Sequence, residues 1–339
     1  MSLICVVCAK GAPGTTTTAM LLAALWPRDS VLVDADPMGG DIGLRLPSAS
    51  GAPLRTDGGL LRLLPAARRG LTADVVLGHC QEAQGGQSVI TGLEGPEQAS
   101  AVSGLWDELG QAFAALPDRD VIADAGQAHT SASTLPLLRR ATAVVFVVQP
   151  TLTGVVHTRQ RVAALLPELA GPDGHTPLLG FVVVETSKTR AADSETTAAE
   201  IEGALESLRF FGTVAHDRAS VRMFEGSPQR HPERSLLARS GAAVVSALTE
   251  ILPVEQTPVD PTPAGSPHRA PSAPPWTPPP DRSLADLWLS ENDSPPGMTG
   301  RPPAEHQPTA PLPASPGQHP TTRREARDGR RWQRKRGRS

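Results

Sequence analysis

The residues best placed to do chemistry form one run, Lys10-Gly-Ala-Pro-Gly-Thr-Thr-Thr-Thr18, between an apolar segment and a helical one. Small residues after a strand let the main chain curl so that successive N–H groups point inward. With a helix N-terminus they hold phosphate oxygens. The general pattern is G-x-x-x-x-G-K-[ST], in which lysine reaches the phosphates and the hydroxyl takes Mg2+. Gly14 fills the second glycine position and Thr16 the hydroxyl position, but Thr15 stands where the lysine belongs. Pro13 stiffens the loop and removes one N–H. The chain has only three lysines, Lys10, Lys188 and Lys335, so one placed directly before this loop is informative. Other chemistries find no support. G-x-G-x-x-G, the dinucleotide fingerprint, is absent, as is G-x-S-x-G for a serine hydrolase. His79, His129, His157 and His216 lack metal-ligand spacing and read as loop or surface residues.

The loop needs a frame, and the pattern around it supplies one. Short apolar runs at Leu3–Ala9, Val31–Asp34, Ser88–Thr91, Val121–Asp124, Ala143–Val148, Leu179–Val184 and Gly212–Val214 read as strands. Several are apolar on both faces, as strands of a covered parallel sheet are. Helical stretches fall between them at Thr16–Leu25, Pro96–Leu116, Leu152–Leu169, Glu195–Phe210 and Ser235–Leu252. This alternation predicts an α/β fold with a doubly wound, mostly parallel sheet over residues 1–252, with ligands beyond the carboxyl ends of the strands. Cys5-x-x-Cys8 lies inside the first strand, where residues three apart face opposite ways. With no second ligand pair, both cysteines read as buried apolar residues.

The remainder is different in kind. Of 35 prolines, 20 fall between Pro253 and Ser339. That composition predicts a disordered Pro-rich linker over 253–320 that builds no core. A possible short helix at 283–290, capped by Ser283 with Leu284, Leu287 and Trp288 on one face, reads either as a docking motif or as a transient helix. Residues 321–339 form a basic tail of nine Lys/Arg against two Asp/Glu. Such a tail attracts DNA, RNA or an anionic membrane, or simply solubilises the end. The whole chain carries a formal charge of -3, which excludes a uniformly basic nucleic-acid binder. No apolar run approaches the ~20 residues that span a bilayer. The N-terminus lacks a signal-peptide pattern, so a cytoplasmic location is expected.

Lys10-Gly-x-x-Gly-x-Thr resembles the deviant Walker A motif of the ParA/MinD family of P-loop ATPases. Val31-Leu-Val-Asp-Ala-Asp-Pro-Met-Gly-Gly40 is similar to that family's second strand and first switch. Val121-Ile-Ala-Asp-Ala-Gly126 is similar to its Walker B strand, and weaker agreement at 144–150 and 211–217 carries the likeness to about residue 250. The resemblance implies a phosphate loop of Gly11, Ala12, Pro13, Gly14, Thr15, Thr16 and Thr17. It makes Lys10 the signature lysine that reaches the partner's phosphates in an ATP-sandwiched dimer, and Asp36 the residue that orients the attacking water. Thr16, Asp34 and Asp124 serve Mg2+. Replacement of the loop lysine, here by Thr15, is similar to the CpaE/TadZ-like branch, whose members organise secretion and pilus machinery at cell poles. Glu185 stands where family members often place an asparagine for the base. Thr130-Ser-Ala-Ser-Thr134 reads either as a second switch or as a helix N-cap cluster.

The resemblance therefore implies an ATP- and Mg2+-dependent homodimerisation switch with slow hydrolysis. Such a switch partitions or positions DNA or a cell-envelope or secretion complex, with DNA or anionic membrane contact through the basic tail. The alternative, favoured by Thr15, is a catalytically inactive nucleotide-binding adaptor that recruits partners through its tail. Arginine excess with Ala, Pro and Gly richness associates with a GC-rich bacterial genome.

Overall fold

The computed structural model describes residues 1–252, apart from 12–13, 172–173, 189–190 and 228–230. Expectations for Ala12, Pro13, the 253–320 linker with its 283–290 segment, and the 321–339 tail lie outside those residues. The strands are β1 (Leu3–Cys8), β2 (Ser30–Asp34), β3 (Gln81–Glu82), β4 (Ser88–Ile90), β5 (Asp120–Gln127), β6 (Ala143–Val148), β7 (Leu178–Val184) and β8 (Arg209–Val214). The helices are α1 (Thr15–Leu25), α2 (Ile42–Arg45), α3 (Leu60–Ala67), α4 (Ala73–Leu77), α5 (Ala99–Val102), α6 (Trp106–Ala114), α7 (Leu135–Arg140), α8 (Leu152–Leu165), α9 (Ala191–Glu202), α10 (Arg218–Val221) and α11 (Leu236–Thr249).

One eight-stranded sheet runs β3-β4-β2-β5-β1-β6-β7-β8, parallel throughout except for the β3–β4 edge pair. Alternation along β1 explains the two layers. Leu3, Cys5 and Val7 pack under α6 and α8, with Trp106, Phe113 and Val162. Ile4 and Val6 pack under α1 and α11, with Leu21, Leu22 and Val244. Both faces of the strand are therefore covered, which is why its sequence is a continuous apolar run. Cys5 and Cys8 are buried, as expected, and burial pushes the Cys5 thiol well above the ordinary cysteine range.

Two predicted helices are shorter than expected. The 96–116 pattern breaks after Val102, where the Ser103 hydroxyl bonds back to the Ser100 carbonyl at 2.9 Å and Gly104 follows. Such local side-chain bonds compete with helix propagation. The 195–210 pattern stops at Glu202, before Gly203, and Arg209 already begins β8. Phe210 serves the strand, its ring centroid 5.2 Å from that of Phe181.

The register sets the site. Val6 of β1 and Asp34 of β2 both pair with Asp124 of β5, so two carboxylates share one level at the carboxyl end of the central strands. Strand order diverges here, since β5 lies to one side of β1 and β6 to the other. That is where doubly wound sheets bind ligands.

Candidate functional site

β1 delivers the chain into Lys10 and Gly11, and Gly14 turns it into α1. Gly14 has φ 108°, a left-handed value that a side chain resists. It is the N-cap of α1, it offers no side chain, and the first turn of the helix carries no acidic residue. The positive end of an 11-residue helix thus faces the loop without a built-in anion. Thr15 is buried, Thr16 and Thr17 are half-buried, and Lys10 is exposed.

Opposite the loop stand three carboxylates. Asp34 is 1% exposed; its Oδ2 accepts from the Ile42 N–H at 2.9 Å, while its Oδ1 is buried with no partner. Gly40 and Gly92 press so closely on this carboxylate that a Cβ at either would collide with it. Asp124, also 1% exposed, bonds the Thr16 hydroxyl and accepts from the Gly126 N–H at 3.3 Å. Asp36 is half-buried and accepts from the Met38 N–H at 2.8 Å. Gly126, at φ 63°, lets the end of β5 pass against Asp36; a Cβ there would lie 2.5 Å from the carboxylate.

Burial dominates the electrostatics. It pushes Asp124 up to about 6, against the Thr16 and Gly126 hydrogen bonds, which lower it. Burial pushes Asp34 further, to about 8, and the Asp124 charge adds to the rise. Asp36 is raised as well, again mainly by burial. Crowded carboxylates held above their ordinary range are a site that wants a cation. An orphaned Asp34 oxygen and a hydroxyl tied to Asp124 fit Mg2+, which binds through one or two carboxylates and keeps waters and phosphate oxygens. Among the described residues no group of three or more His, Cys, Asp or Glu side chains is placed to hold a metal ion by itself.

A cavity of about 540 Å³ opens beside the loop, lined by Gly14, Thr17, Val184, Glu185, Arg218 and Arg222 among others, a volume suited to a small ligand. Glu185, for which the resemblance implied a place at the base, borders this cavity. A smaller one of about 270 Å³ lies on the other side, against Lys10, Gly11, Gln149 and His157. Thr134 occupies the N-cap of α7, but its hydroxyl makes no capping bond and is buried without a partner. The capping reading of the 130–134 cluster therefore fails for Thr134.

The structure brings Gly11, Gly14, Thr15, Thr16, Thr17, Asp34, Asp36 and Asp124 together and leaves Lys10 at their outer edge. Sequence reasoning missed Arg45, whose Nη2 donates to Thr17 Oγ1 at 3.1 Å. No motif announces it, since α2 is four residues long and contacts the loop only in three dimensions.

No protein-family model matches the chain, and no curated protein matches it by sequence. Solved structures do match. A ParA family ATPase from Chlorobium tepidum TLS aligns with a TM-score of 0.57 at 18% identity, over 72% of this chain and 98% of that one. An ATP complex of a variant of Cyanothece McdA aligns at 0.56 and 17% identity, over 74% and 96%. A chain of the MinC:MinD cell division complex from Aquifex aeolicus aligns at 0.53 and 14% identity, over 74% and 96%. These likenesses establish architecture: the described residues have the doubly wound P-loop fold shared by ParA, MinD and McdA ATPases.

Proposed function

We propose that this chain is a ParA/MinD-like nucleotide switch. Mg-ATP on the 10–17 loop bridges two copies face to face, and slow hydrolysis releases them. The dimer positions DNA or a cell-envelope or secretion complex. One observation carries the reading: an uncapped helix N-terminus faces buried, cation-seeking carboxylates at the carboxyl ends of adjacent parallel strands. In this reading the loop from Gly11 to Thr17 holds the phosphates through its main-chain N–H groups, of which Pro13 contributes none. Thr16, Asp34 and Asp124 hold Mg2+, which would neutralise charge on the phosphate chain. Asp36 orients water, and Lys10 is presented outward to the second copy.

The surface at that end supports association. Met38 is 67% exposed, Leu44 75% and Leu152 78%, and all three follow the carboxyl ends of β2 and β6. Large apolar side chains on one rim favour a face that is covered in some state. Light scattering of the full chain in Mg-ATP and in Mg-ADP tests this directly. Mass should double in ATP, and Lys10→Ala or Asp36→Ala should abolish or prolong that change. Equal mass in both nucleotides rejects the switch.

Thr15 favours a second reading, a nucleotide-binding adaptor without turnover. A lysine lost from this position removes charge from the phosphates, and charge neutralisation is most of what phosphoryl transfer requires. Phosphate release that neither Lys10→Ala nor Asp36→Ala alters would decide for the adaptor. Among the described residues no helix is long and apolar enough to cross a membrane.

A further inference from the structure

We infer that Arg45 is the phosphate-binding cation that stands in for the lysine missing at position 15. The inference rests on the reading of the 10–17 loop as a nucleotide site and adds a residue that nothing in the motif supplies. Arg45 closes α2 and is half-buried, with its Nη2 donating to Thr17 Oγ1 at 3.1 Å. Its guanidinium is therefore held on the first turn of α1, the turn whose N–H groups form the anion cradle. A guanidinium carries five N–H donors in a rigid fork that matches phosphate oxygens. Thr17 uses one.

The charge is also uncommitted. Arg28 pairs with Asp120 at 2.7 Å, Arg139 with Glu168 at 3.3 Å and Arg140 with Asp107 at 2.9 Å. No carboxylate among the described residues pairs with Arg45. A half-buried, unpaired guanidinium on a loop built for anions is in place for a phosphate.

Its placement is coupled to the carboxylates. The Asp34 carboxylate fixes the start of α2 through the Ile42 N–H at 2.9 Å, and the Arg45 N–H donates to the Asp41 carbonyl at 3.1 Å. From Thr17 the chain leads back to Thr16, which is bonded to Asp124. Asp34, α2, Arg45, α1 and Asp124 thus close a ring around the space between loop and carboxylates. Lys10 lies outside that ring, exposed and beside the smaller cavity.

The test is a double-mutant cycle on the full chain, with Mg-ADP affinity read by calorimetry for wild type, Arg45→Gln, Thr15→Lys and the double variant. Loss of a charged hydrogen-bonding partner predicts about ten- to hundredfold weaker ADP binding in Arg45→Gln. Thr15→Lys should recover most of that loss in the Arg45→Gln background and gain much less in wild type, because one cation then substitutes for the other. The nucleotide-free melting temperature of Arg45→Gln should stay near that of wild type. Arg45→Lys, which keeps charge and loses the fork, should weaken ADP binding by less than Arg45→Gln. It carries the cycle should the glutamine variant fail to fold. Wild-type affinity in both Arg45 variants, or the same gain from Thr15→Lys in both backgrounds, overturns the assignment while leaving the nucleotide site standing. No ADP binding by wild type would remove the site and the assignment together.

Discussion

Replacing Asp34 by asparagine tests the electrostatics of the site without any nucleotide. In the fold this carboxyl is raised to about 8, first by burial and then by the charge of Asp124; in an unfolded chain it titrates near 3.9. Between those values the native state holds a proton that the unfolded state releases. The native advantage is therefore full below about pH 4 and is lost as pH rises toward about 8. At about 1.4 kcal/mol for each pKa unit, the loss between about pH 5.5 and about pH 8 comes to roughly 3 kcal/mol. That is a large part of a typical stability of about 5–15 kcal/mol. The asparagine side chain has nearly the same shape, keeps an acceptor for the Ile42 N–H and never ionises. Urea unfolding of the nucleotide-free protein, followed by the fluorescence of buried Trp26 and Trp106, reads the effect. Relative to wild type, Asp34→Asn should gain stability by about 3 kcal/mol over that pH interval. Asp124 contributes in the same direction but is raised only to about 6, so its share is lost mostly below that pH. Magnesium added near pH 8 should restore wild type more than the variant, because a cation favours the ionised carboxylate. A wild type equally stable at both pH values, or a variant that follows the wild-type slope, refutes the argument.

Thr15→Lys should raise phosphate release by up to about 10²–10³-fold in the Arg45→Gln background, since it restores a point charge to the phosphate chain, and by much less in wild type; an equal colorimetric gain in both backgrounds rejects that role for position 15. Gly126→Ala forces a left-handed φ on a residue with a Cβ and drives that carbon against Asp36. It should cost about 1–3 kcal/mol in thermal unfolding and abolish nucleotide-dependent dimerisation, so wild-type behaviour in both measurements counts against the packing described. Asp120→Ala removes the acceptor shared by the Ser2 N–H, the Trp26 indole N–H and Arg28 at 2.7 Å each. A loss of about 3–5 kcal/mol in urea unfolding is expected, and a loss below ~1 kcal/mol would show that water substitutes for the carboxylate. Deleting residues 321–339 should reduce salt-sensitive binding to DNA or anionic vesicles; undiminished binding to both assigns that contact elsewhere.

The parts of this molecule that are legible in its sequence are those whose physics is local. β1, β6 and β7 announce themselves because a strand buried on both faces has no polar alternation to hide it. The proposed phosphate loop does so because only small residues let the backbone present its N–H groups. β3 escapes such a reading: Gln81–Glu82 is a two-residue polar edge, with nothing to bury. α3 is disguised by Pro65 inside it, although Leu60 and Leu63 show the buried face. The same division runs through the site. Asp34 and Asp124 can be named from the ends of apolar runs, whereas their shared level follows from β2–β5 pairing between segments far apart in the chain. Arg45 lies furthest from local legibility, 28 residues from its hydroxyl partner on a helix with no periodicity of its own. A motif that lacks its lysine is therefore incomplete evidence of a lost charge. On the assignment proposed for Arg45, the phosphate chain responds to whatever cation stands within reach of it, and that cation is set by three-dimensional packing rather than by the motif.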